Sequence, residues 1–240
     1  MKRFYIHLAA ITALVATLAV LAVVATLILP PITLNLPALS VTCTKPRKTT
    51  LLASPAAPST LKLRLVGVEA SIRAEEGGGV EVSVADMGGC IEKEARLSGG
   101  VLDVEVKGRG CCSVTIKLPK TRYRSIEVHG MALQLTIDGV NAENALIDAE
   151  EANIEAHSLK LGGLALRLET SNAHIDAEIT KSANITASLT RLLLHVTSPD
   201  AEVLVKPTIT TEFQTTCRGL EGPRILVSAM TSSIHVICRG

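Results

Sequence analysis

The sequence predicts an all-β chain, a single-stranded β-solenoid or β-helix-like repeat domain preceded by one N-terminal transmembrane helix. Three observations predict this fold. Apolar and polar residues alternate over short runs from Leu61 onward, the second half repeats itself about every twenty residues, and a long apolar stretch stands near the N-terminus. With 240 residues, 47% apolar and 20% charged, the chain has the composition of one sizeable folded unit.

The N-terminal apolar stretch, residues 8–29, contains no charge and no glycine. As a helix, about 22 residues cross a bilayer core of about 30 Å. Lys2 and Arg3 precede it, so the positive-inside rule places residues 1–7 in the cytoplasm and the rest outside. We therefore expect a single-pass protein of the cell membrane. A cleaved secretory signal and a pilin-like leader are the alternatives.

A proline-rich segment, residues 30–60, follows the predicted helix. Its prolines are Pro30, Pro31, Pro37, Pro46, Pro55 and Pro58. This composition is typical of an extended spacer and not of a packed element. The spacer would hold the β-repeat domain, residues 61–240, away from the bilayer.

The β-repeat domain is predicted from period-two alternation, as in residues 61–65, 80–84, 101–106 and 114–118. The repeat itself shows as apolar anchors about twenty residues apart. First anchors are Ile126, Leu146, Leu166, Ile185 and Ile225; second anchors are Leu135, Ile154, Ile175, Leu194 and Ile234. The gap between 185 and 225 predicts a further copy near residues 201–213. Copies of this size must stack to share a core. A β-sandwich of antiparallel meanders is the alternative.

Six cysteines lie beyond the predicted membrane helix, where disulfides persist. Cys217 and Cys238 are about one repeat apart, as are Cys90 and Cys111, and both pairs are predicted bridges. Neighbouring residues of a strand point to opposite faces, so Cys112 would bond instead to Cys43. No Cys-x-x-Cys pair and no finger-like cysteine and histidine spacing indicates zinc.

Charge and aromatic content exclude several partners. Without Lys2 and Arg3, 22 of the 24 basic residues stand against 23 acidic ones, so no strong field is available to attract nucleic acid. Two Phe, two Tyr and no Trp also leave few rings for stacking on bases or sugars. We expect the membrane as a partner, with cell-surface proteins, polysaccharide or further copies of the chain as candidates.

Catalytic motifs are absent from the sequence, which contains no Ser/His/Asp order and no phosphate loop. The acidic pairs Glu75 and Glu76, Glu150 and Glu151, and Asp176 and Glu178 are interpreted as outward strand charges. We therefore predict no enzyme activity, no catalytic residue and no cofactor.

Two histidines, His195 and His235, hold the same place in their repeats. With one copy between them they would be about 9.6 Å apart, twice the ~4.8 Å strand spacing, too far to share a metal. No metal site is predicted. Asn184 begins an Asn-Ile-Thr sequon at a predicted turn and is a candidate for glycosylation.

The strand of residues 113–119, which ends in Leu-Pro, and the repeat motifs of residues 168–175 and 228–234 resemble the "putative adhesin" family. Its members are bacterial and archaeal surface proteins with tandem β-strand repeats, many of them domains of unknown function. The resemblance covers residues 61–238. It implies an extracytoplasmic β-helical domain with adhesive or scaffolding use and no catalytic residues.

The chain departs from the family pattern at its corners, where Ala173 and His174 stand in place of the usual glycine. We expect a membrane-anchored protein that acts by surface contact, in adhesion or cell-envelope scaffolding. A secreted or pilin-like subunit of an extracellular filament is the alternative.

Overall fold

The computed structural model describes residues 43, 45–198, 200–206, 211–219 and 222–239. The predicted membrane helix, residues 8–29, lies outside the described residues. Within the described ranges, no helix is both long and apolar enough to cross a membrane.

Seventeen strands make up the described fold and join in one sheet, so the predicted all-β class is confirmed. The strands are β1 (Arg47–Ser54), β2 (Thr60–Val66), β3 (Glu69–Glu75), β4 (Val80–Asp86), β5 (Cys90–Ser98), β6 (Val101–Gly108), β7 (Cys112–Pro119), β8 (Arg122–Met131), β9 (Gln134–Asp138), β10 (Asn141–Glu150), β11 (Asn153–Glu169), β12 (Asn172–Ser188), β13 (Arg191–Val196), β14 (Glu202–Lys206), β15 (Glu212–Thr215), β16 (Arg224–Met230) and β17 (Ser233–Cys238).

The strands pair in two series, which we call stack A and stack B. Stack A runs β5, β6, β2, β8, β10, the second half of β11, the second half of β12, β16, β14. Stack B runs β1, β4, β7, β3, β9, the first half of β11, the first half of β12, β13, β17, β15. The long strands β11 and β12 each pass from stack B to stack A. From β6 onward, successive segments of the chain therefore contribute to stack A and stack B in turn.

Neighbouring strands in the middle of both stacks are parallel and offset by a constant length of chain. Asn141 pairs with Arg122 on one side and Lys160 on the other, a step of 19 residues each way. Parallel partners need a crossover between them, and here the crossover passes through the other stack. These pairings differ from the antiparallel meanders of the alternative prediction. Only three pairings among the described strands are antiparallel: β1 with β4, β4 with β7, and β5 with β6.

The core is formed by the inward residues of every strand. Nine of the ten predicted anchors are confirmed as core, but Leu146 is wrong, because Ala145 and Ile147 are the buried residues of that strand and Leu146 is half-buried. Ile154, Leu166, Ile175, Ile185 and Leu194 are fully buried. In β2 and β13 burial alternates residue by residue, as the period-two pattern predicts. Full burial of one such side chain contributes roughly 1.5–3 kcal/mol, so stability accumulates along the stacks.

The corners that precede five strands of stack B, namely β9, β11, β12, β13 and β17, share one backbone conformation. A non-glycine residue with positive φ, between 49° and 51°, stands at each: Ala132, Glu151, Thr170, Leu189 and Thr231. We call one stack B segment and the stack A segment that follows it a coil. Each of the first four of these residues donates its backbone N–H to a carbonyl of the next coil, as Glu151 does to the Glu169 carbonyl. The residues after three of these corners, Ser171, Thr190 and Ser232, are buried hydroxyls. The corners predicted near residues 170–172 and 229–231 are thus present without glycine.

The order of strands in space departs from their order in the chain at both ends. β2 lies between β6 and β8, although β6 follows it in sequence. At the other end, β16 and β17 pair directly with β12 and β13, while β14 and β15 pair on their far side. The copy predicted near residues 201–213 exists as β14 and β15. Its expected position between the copies at 185 and 225 is wrong.

The spacer predicted over residues 30–60 is also partly wrong, because β1 lies within it. β1 pairs antiparallel with β4, and Leu51 and Leu52 pack on the core. The first four residues of β1 are exposed. The strand therefore lacks the alternation that identified the others, and the surrounding prolines concealed it.

Candidate functional site

All six cysteines form disulfides, and one of the three predicted pairings is confirmed. Cys217 bonds to Cys238 as expected. The other two predicted partners are exchanged, since Cys90 bonds to Cys112 and Cys43 to Cys111.

The exchange has a structural reason in the adjacent pair Cys111 and Cys112. Cys112 begins β7 with its side chain buried, at 2% exposure, and so meets Cys90 beneath the edge of the sheet. Cys111 precedes the strand with a φ of 52°, on the other side of the chain, where Cys43 reaches it. Chain spacing alone could not decide which neighbour points inward.

The outer faces of the stacks carry rows of opposite charges. On stack A, the Arg64 guanidinium donates to Asp103 at 3.1 Å and lies 3.3 Å from Glu105. Lys107 Nζ lies 2.6 Å from Glu92 and 3.0 Å from Glu105. The hydrogen bond from Lys107 lowers the pKa of Glu105, and those to Glu92 and Glu105 raise the pKa of Lys107. Such exposed pairs contribute little stability. These faces are therefore polar surfaces, and their ion pairs do not hold the strands together.

The predicted acidic pairs fall into two kinds. Glu75, Glu76, Glu150 and Glu151 are exposed, as expected of outward charges. Asp176 is different, because three imidazoles surround its carboxylate. We call His157, His174, Asp176 and His195 the His/Asp cluster.

The His/Asp cluster is centred on the Asp176 carboxylate. His195 Nδ1 lies 2.6 Å from Oδ1, and His157 Nδ1 lies 3.0 Å from Oδ2. His174 Nε2 lies 3.6 Å from Oδ1 and makes no hydrogen bond, although the atom is buried. The His174 ring stands edge-on to both other rings, with centroids 5.7 Å from His157 and 5.1 Å from His195.

The charge state of Asp176 follows from these contacts. Partial burial alone would raise the pKa of Asp176, but the hydrogen bonds from His157 and His195, with attraction from His174 and His195, outweigh it and lower that pKa. An ionised carboxylate only accepts hydrogen bonds. Both Nδ1 atoms therefore donate to it.

The backbone places the cluster on three adjacent coils of stack B. Asp176 is the direct register partner of His195. His174 is two residues before Asp176 on the same face of β12. On the preceding coil the register with β12 shifts between Ala156 and Leu159, and Ser158 has a φ of 55°. Bulges of this kind redirect side chains, and here His157 is brought to Asp176.

Sequence reasoning missed the His/Asp cluster because it compared the wrong histidines. His195 is in register with Ile237, and His235 with Leu193, so the assumed equivalence of His195 and His235 is wrong. The signal was present in the spacing. His157, Asp176 and His195 are 19 residues apart, which is the length of one coil.

Asn184 lies within β12 on its outer face and is exposed. The turn predicted at this sequon is therefore wrong, since residues 182–188 pair with both β11 and β16. Its exposure leaves the side chain accessible, and glycosylation of Asn184 stays a prediction.

No protein-family model matches this sequence, and no curated protein matches it either. Among solved structures, a putative cell adhesion protein from Clostridium sporogenes is 12% identical with a TM-score of 0.48, over 81% of this chain and 100% of that one. A putative adhesin from Bacteroides fragilis is 10% identical with a TM-score of 0.32, over 81% and 97%. One from Parabacteroides merdae is 9% identical with a TM-score of 0.27, over 80% and 96%.

These three structures carry the description of the family that the sequence resembles, an adhesin or cell adhesion protein. At these identities and TM-scores the likeness carries no argument about what this chain does. The function of this chain is therefore inferred from its own residues.

Proposed function

We propose that this chain is a membrane-anchored, extracytoplasmic β-solenoid that acts by surface contact, in adhesion or in scaffolding of the cell envelope. The observation that carries the proposal is the use of all six cysteines in three disulfides. Disulfides persist outside the cytoplasm and are rare within it. The apolar stretch of residues 8–29 supplies the anchor, and Lys2 and Arg3 supply the orientation.

Contact, not catalysis, is supported by the character of the outer faces. Charged side chains there are mostly held in pairs of opposite sign, as Arg64 is with Asp103. Two of the depressions on the described surface lie across rows of stack A strands, as between His129 and Arg167, and others lie at the corners; these depressions open to solvent. A stack of parallel strands presents such a face as a long, rigid array, which fits an extended partner such as a protein surface or a polysaccharide.

The location is tested on intact cells, with the natural chain and no added tag. Protease added outside should remove the β-repeat domain and leave the N-terminal segment in the membrane. A thiol reagent that cannot cross membranes should label the chain only after reduction. Protection from the protease, or labelling without reduction, would contradict the extracytoplasmic placement.

The contact role is tested by deleting the gene and measuring attachment of cells to one another and to isolated envelopes. We expect attachment to fall and to return when the full chain is restored. Unchanged attachment and envelope integrity would contradict the proposal. N-terminal sequencing separates this reading from a filament subunit, since an anchored chain retains residues 1–29 and a pilin-like subunit does not.

A further inference from the structure

We propose that the His/Asp cluster is a binding site for a divalent transition-metal ion of the zinc class, held by His174, His195 and Asp176, with His157 orienting the Asp176 carboxylate. Two imidazole nitrogens and one carboxylate oxygen form a donor set that zinc, copper and nickel ions bind well, whereas magnesium and calcium prefer oxygen alone. The proposal goes beyond surface contact and is independent of it.

The donor atoms already converge. One ligand atom each from His174, Asp176 and His195 lies within 4.8 Å of the others. In a tetrahedral zinc site with bonds of 2.0–2.2 Å, ligand atoms are about 3.3 Å apart. The present separations of 2.6 Å and 3.6 Å from Asp176 Oδ1 bracket that value. For His195 Nδ1 to bind the ion, the neutral imidazole carries its proton on Nε2 instead of Nδ1, and side-chain rotations then bring the three ligand atoms around the ion.

The remaining histidine of the cluster, His157, is on the opposite side of the carboxylate. Its Nδ1 lies 3.0 Å from Oδ2, while His195 Nδ1 is next to Oδ1. A carboxylate that binds an ion through one oxygen keeps the other free to accept a hydrogen bond. His157 thus orients Asp176 through its second oxygen, as partners of metal ligands commonly do.

An unpaired atom marks the place where an ion would sit. Among the described residues, His174 Nε2 is the one buried side-chain nitrogen or oxygen with no hydrogen-bond partner. A buried polar atom without a hydrogen-bond partner destabilises the fold. An ion between His174, His195 and Asp176 would satisfy it. Hydrogen bonds to Asp176 account for the positions of His157 and His195, but they leave His174 Nε2 without a hydrogen-bond partner.

The surroundings favour a cation and give it access from solvent. Glu155 is the register partner of His174, and Asp138 is the register partner of His157. Arg73, in register with Asp138 on the next strand, partly offsets this charge. The cluster side chains are between 13% and 42% exposed, so an ion can enter without opening the fold.

The support beneath the cluster is rigid. The inward neighbours Ala156, Ile175 and Leu194 are fully buried in the core. The strands carrying the cluster are hydrogen-bonded to one another along their registers. Ligands on packed strands are held more precisely than ligands on loops, and an ion here would link three successive coils.

Direct binding tests the proposal, using the full untagged chain in detergent, oxidised and treated with a chelator. With every cysteine in a disulfide, thiolates do not compete for metal. Titration with Zn²⁺ should show one ion per chain and a rise in the unfolding temperature, because a ligand of the native state stabilises it. Co²⁺ should give the visible absorption of tetrahedral nitrogen and oxygen coordination.

Variants assign the ligands. His195→Ala, or His174→Ala with His195→Ala, should weaken Zn²⁺ binding at least about 10-fold, since even residues that only orient a ligand are worth roughly 10- to 100-fold. Asp176→Asn keeps the side-chain shape, so it is the variant to use if an alanine variant fails to fold. It should weaken Zn²⁺ binding to a similar extent. His235→Ala is the matched control, an outward histidine of the same stack, and should bind as wild type.

Absence of stoichiometric Zn²⁺ uptake by the folded wild-type chain would overturn the proposal. So would uptake that is equal in wild type, Asp176→Asn and the double histidine variant, because the ion would then bind elsewhere. Neither result bears on location or attachment, so the proposed function is judged separately.

Discussion

The middle and the ends of the stacks are stabilised by different means. From β8 to β13 the strands follow one another in space as in sequence, partners are 19 residues apart, and there is no cysteine. At both ends the strand order departs from the chain order and disulfides are found, and at the N-terminal end antiparallel strands also appear. A middle coil is covered on both sides by its neighbours, whereas an end coil is covered on one side only. Covalent links stand where packing is one-sided.

Core truncation should have the largest effect and should separate the two regions. Ile154→Ala removes a fully buried side chain from the middle and should lower the free energy of unfolding by about 2–5 kcal/mol. Val203→Ala, at a partly buried position in β14 at the end, should cost less than about 1 kcal/mol, because fewer contacts are lost. Denaturant unfolding of both variants is the measurement, and equal costs would contradict the distinction.

Removing the disulfide between Cys217 and Cys238 should lower the free energy of unfolding nearly as much, but the effect should be confined to the C-terminal end of the stacks. Cys217→Ser with Cys238→Ser opens a loop of 21 residues, worth about 3 kcal/mol by the chain-entropy argument. Hydrogen exchange should accelerate in β15 and β17 and stay unchanged in β10. Equal acceleration throughout would show that the stacks unfold as one unit and that the bridge is not a local closure.

The buried hydroxyls at the corners of the middle region, those of Ser171 and Thr190, should contribute less to stability than the terminal disulfide. Thr190 donates to the Ser188 carbonyl at 2.8 Å and accepts from the Ser171 N–H at 3.4 Å, and it is buried. Thr190→Val keeps the shape and leaves the Ser171 N–H without that acceptor, at a cost of about 1–3 kcal/mol. Thr186→Val, on the exposed face of β12, is the control and should stay within about 0.5 kcal/mol of wild type.

A glycine at a corner should stabilise the middle slightly. Glu151 is exposed and has a φ of 51°, a conformation that costs an ordinary residue roughly 1–2 kcal/mol. Glu151→Gly removes that cost but adds freedom to the unfolded chain, for a net gain of about 0.5–1 kcal/mol. Glu155→Gly, in an adjacent strand, should instead destabilise. A loss of stability in both variants would contradict the account of the corners.

The smallest expected effect is a dependence of stability on acid pH at the N-terminal end of the stacks, where Asp86 ends β4. Asp86 accepts from Lys93 and from the N–H groups of Gly88 and Cys90, and these hydrogen bonds lower its pKa from 3.8 to about 2. A lowered pKa means that the contribution is complete above pH 3.8 and is lost as pH falls through about 2. The unfolding temperature of wild type should therefore fall more steeply below pH 4 than that of Asp86→Asn. Equal slopes would contradict this role of Asp86.

The sequence predicted what depends on local pattern and failed where distant segments decide. The buried anchors, such as Ile175 and Leu194, were identified because alternation and repeat length are both visible along the chain. The position of β14 and β15 was not, because any coil can in principle stack on any other. The partners of Cys111 and Cys112 depend on which residue points inward at the start of β7, a matter of one residue of register.

The His/Asp cluster was predictable in part. The 19-residue spacing of His157, Asp176 and His195 was available, and a repeat length set at about twenty was too coarse to align them. The contribution of His157 also needs the bulge at Ser158, which no pattern in the sequence announces.

Disulfide mapping of the chain from native envelopes tests most directly the central claim, an extracytoplasmic stack closed at its ends by covalent bonds. Trypsin should release residues 110–117 with both Cys111 and Cys112, joined to two other peptides. Fragmentation between the two cysteines should assign Cys111 to Cys43 and Cys112 to Cys90, with Cys217 joined to Cys238. Free thiols at these positions, or Cys90 joined to Cys111, would contradict the account.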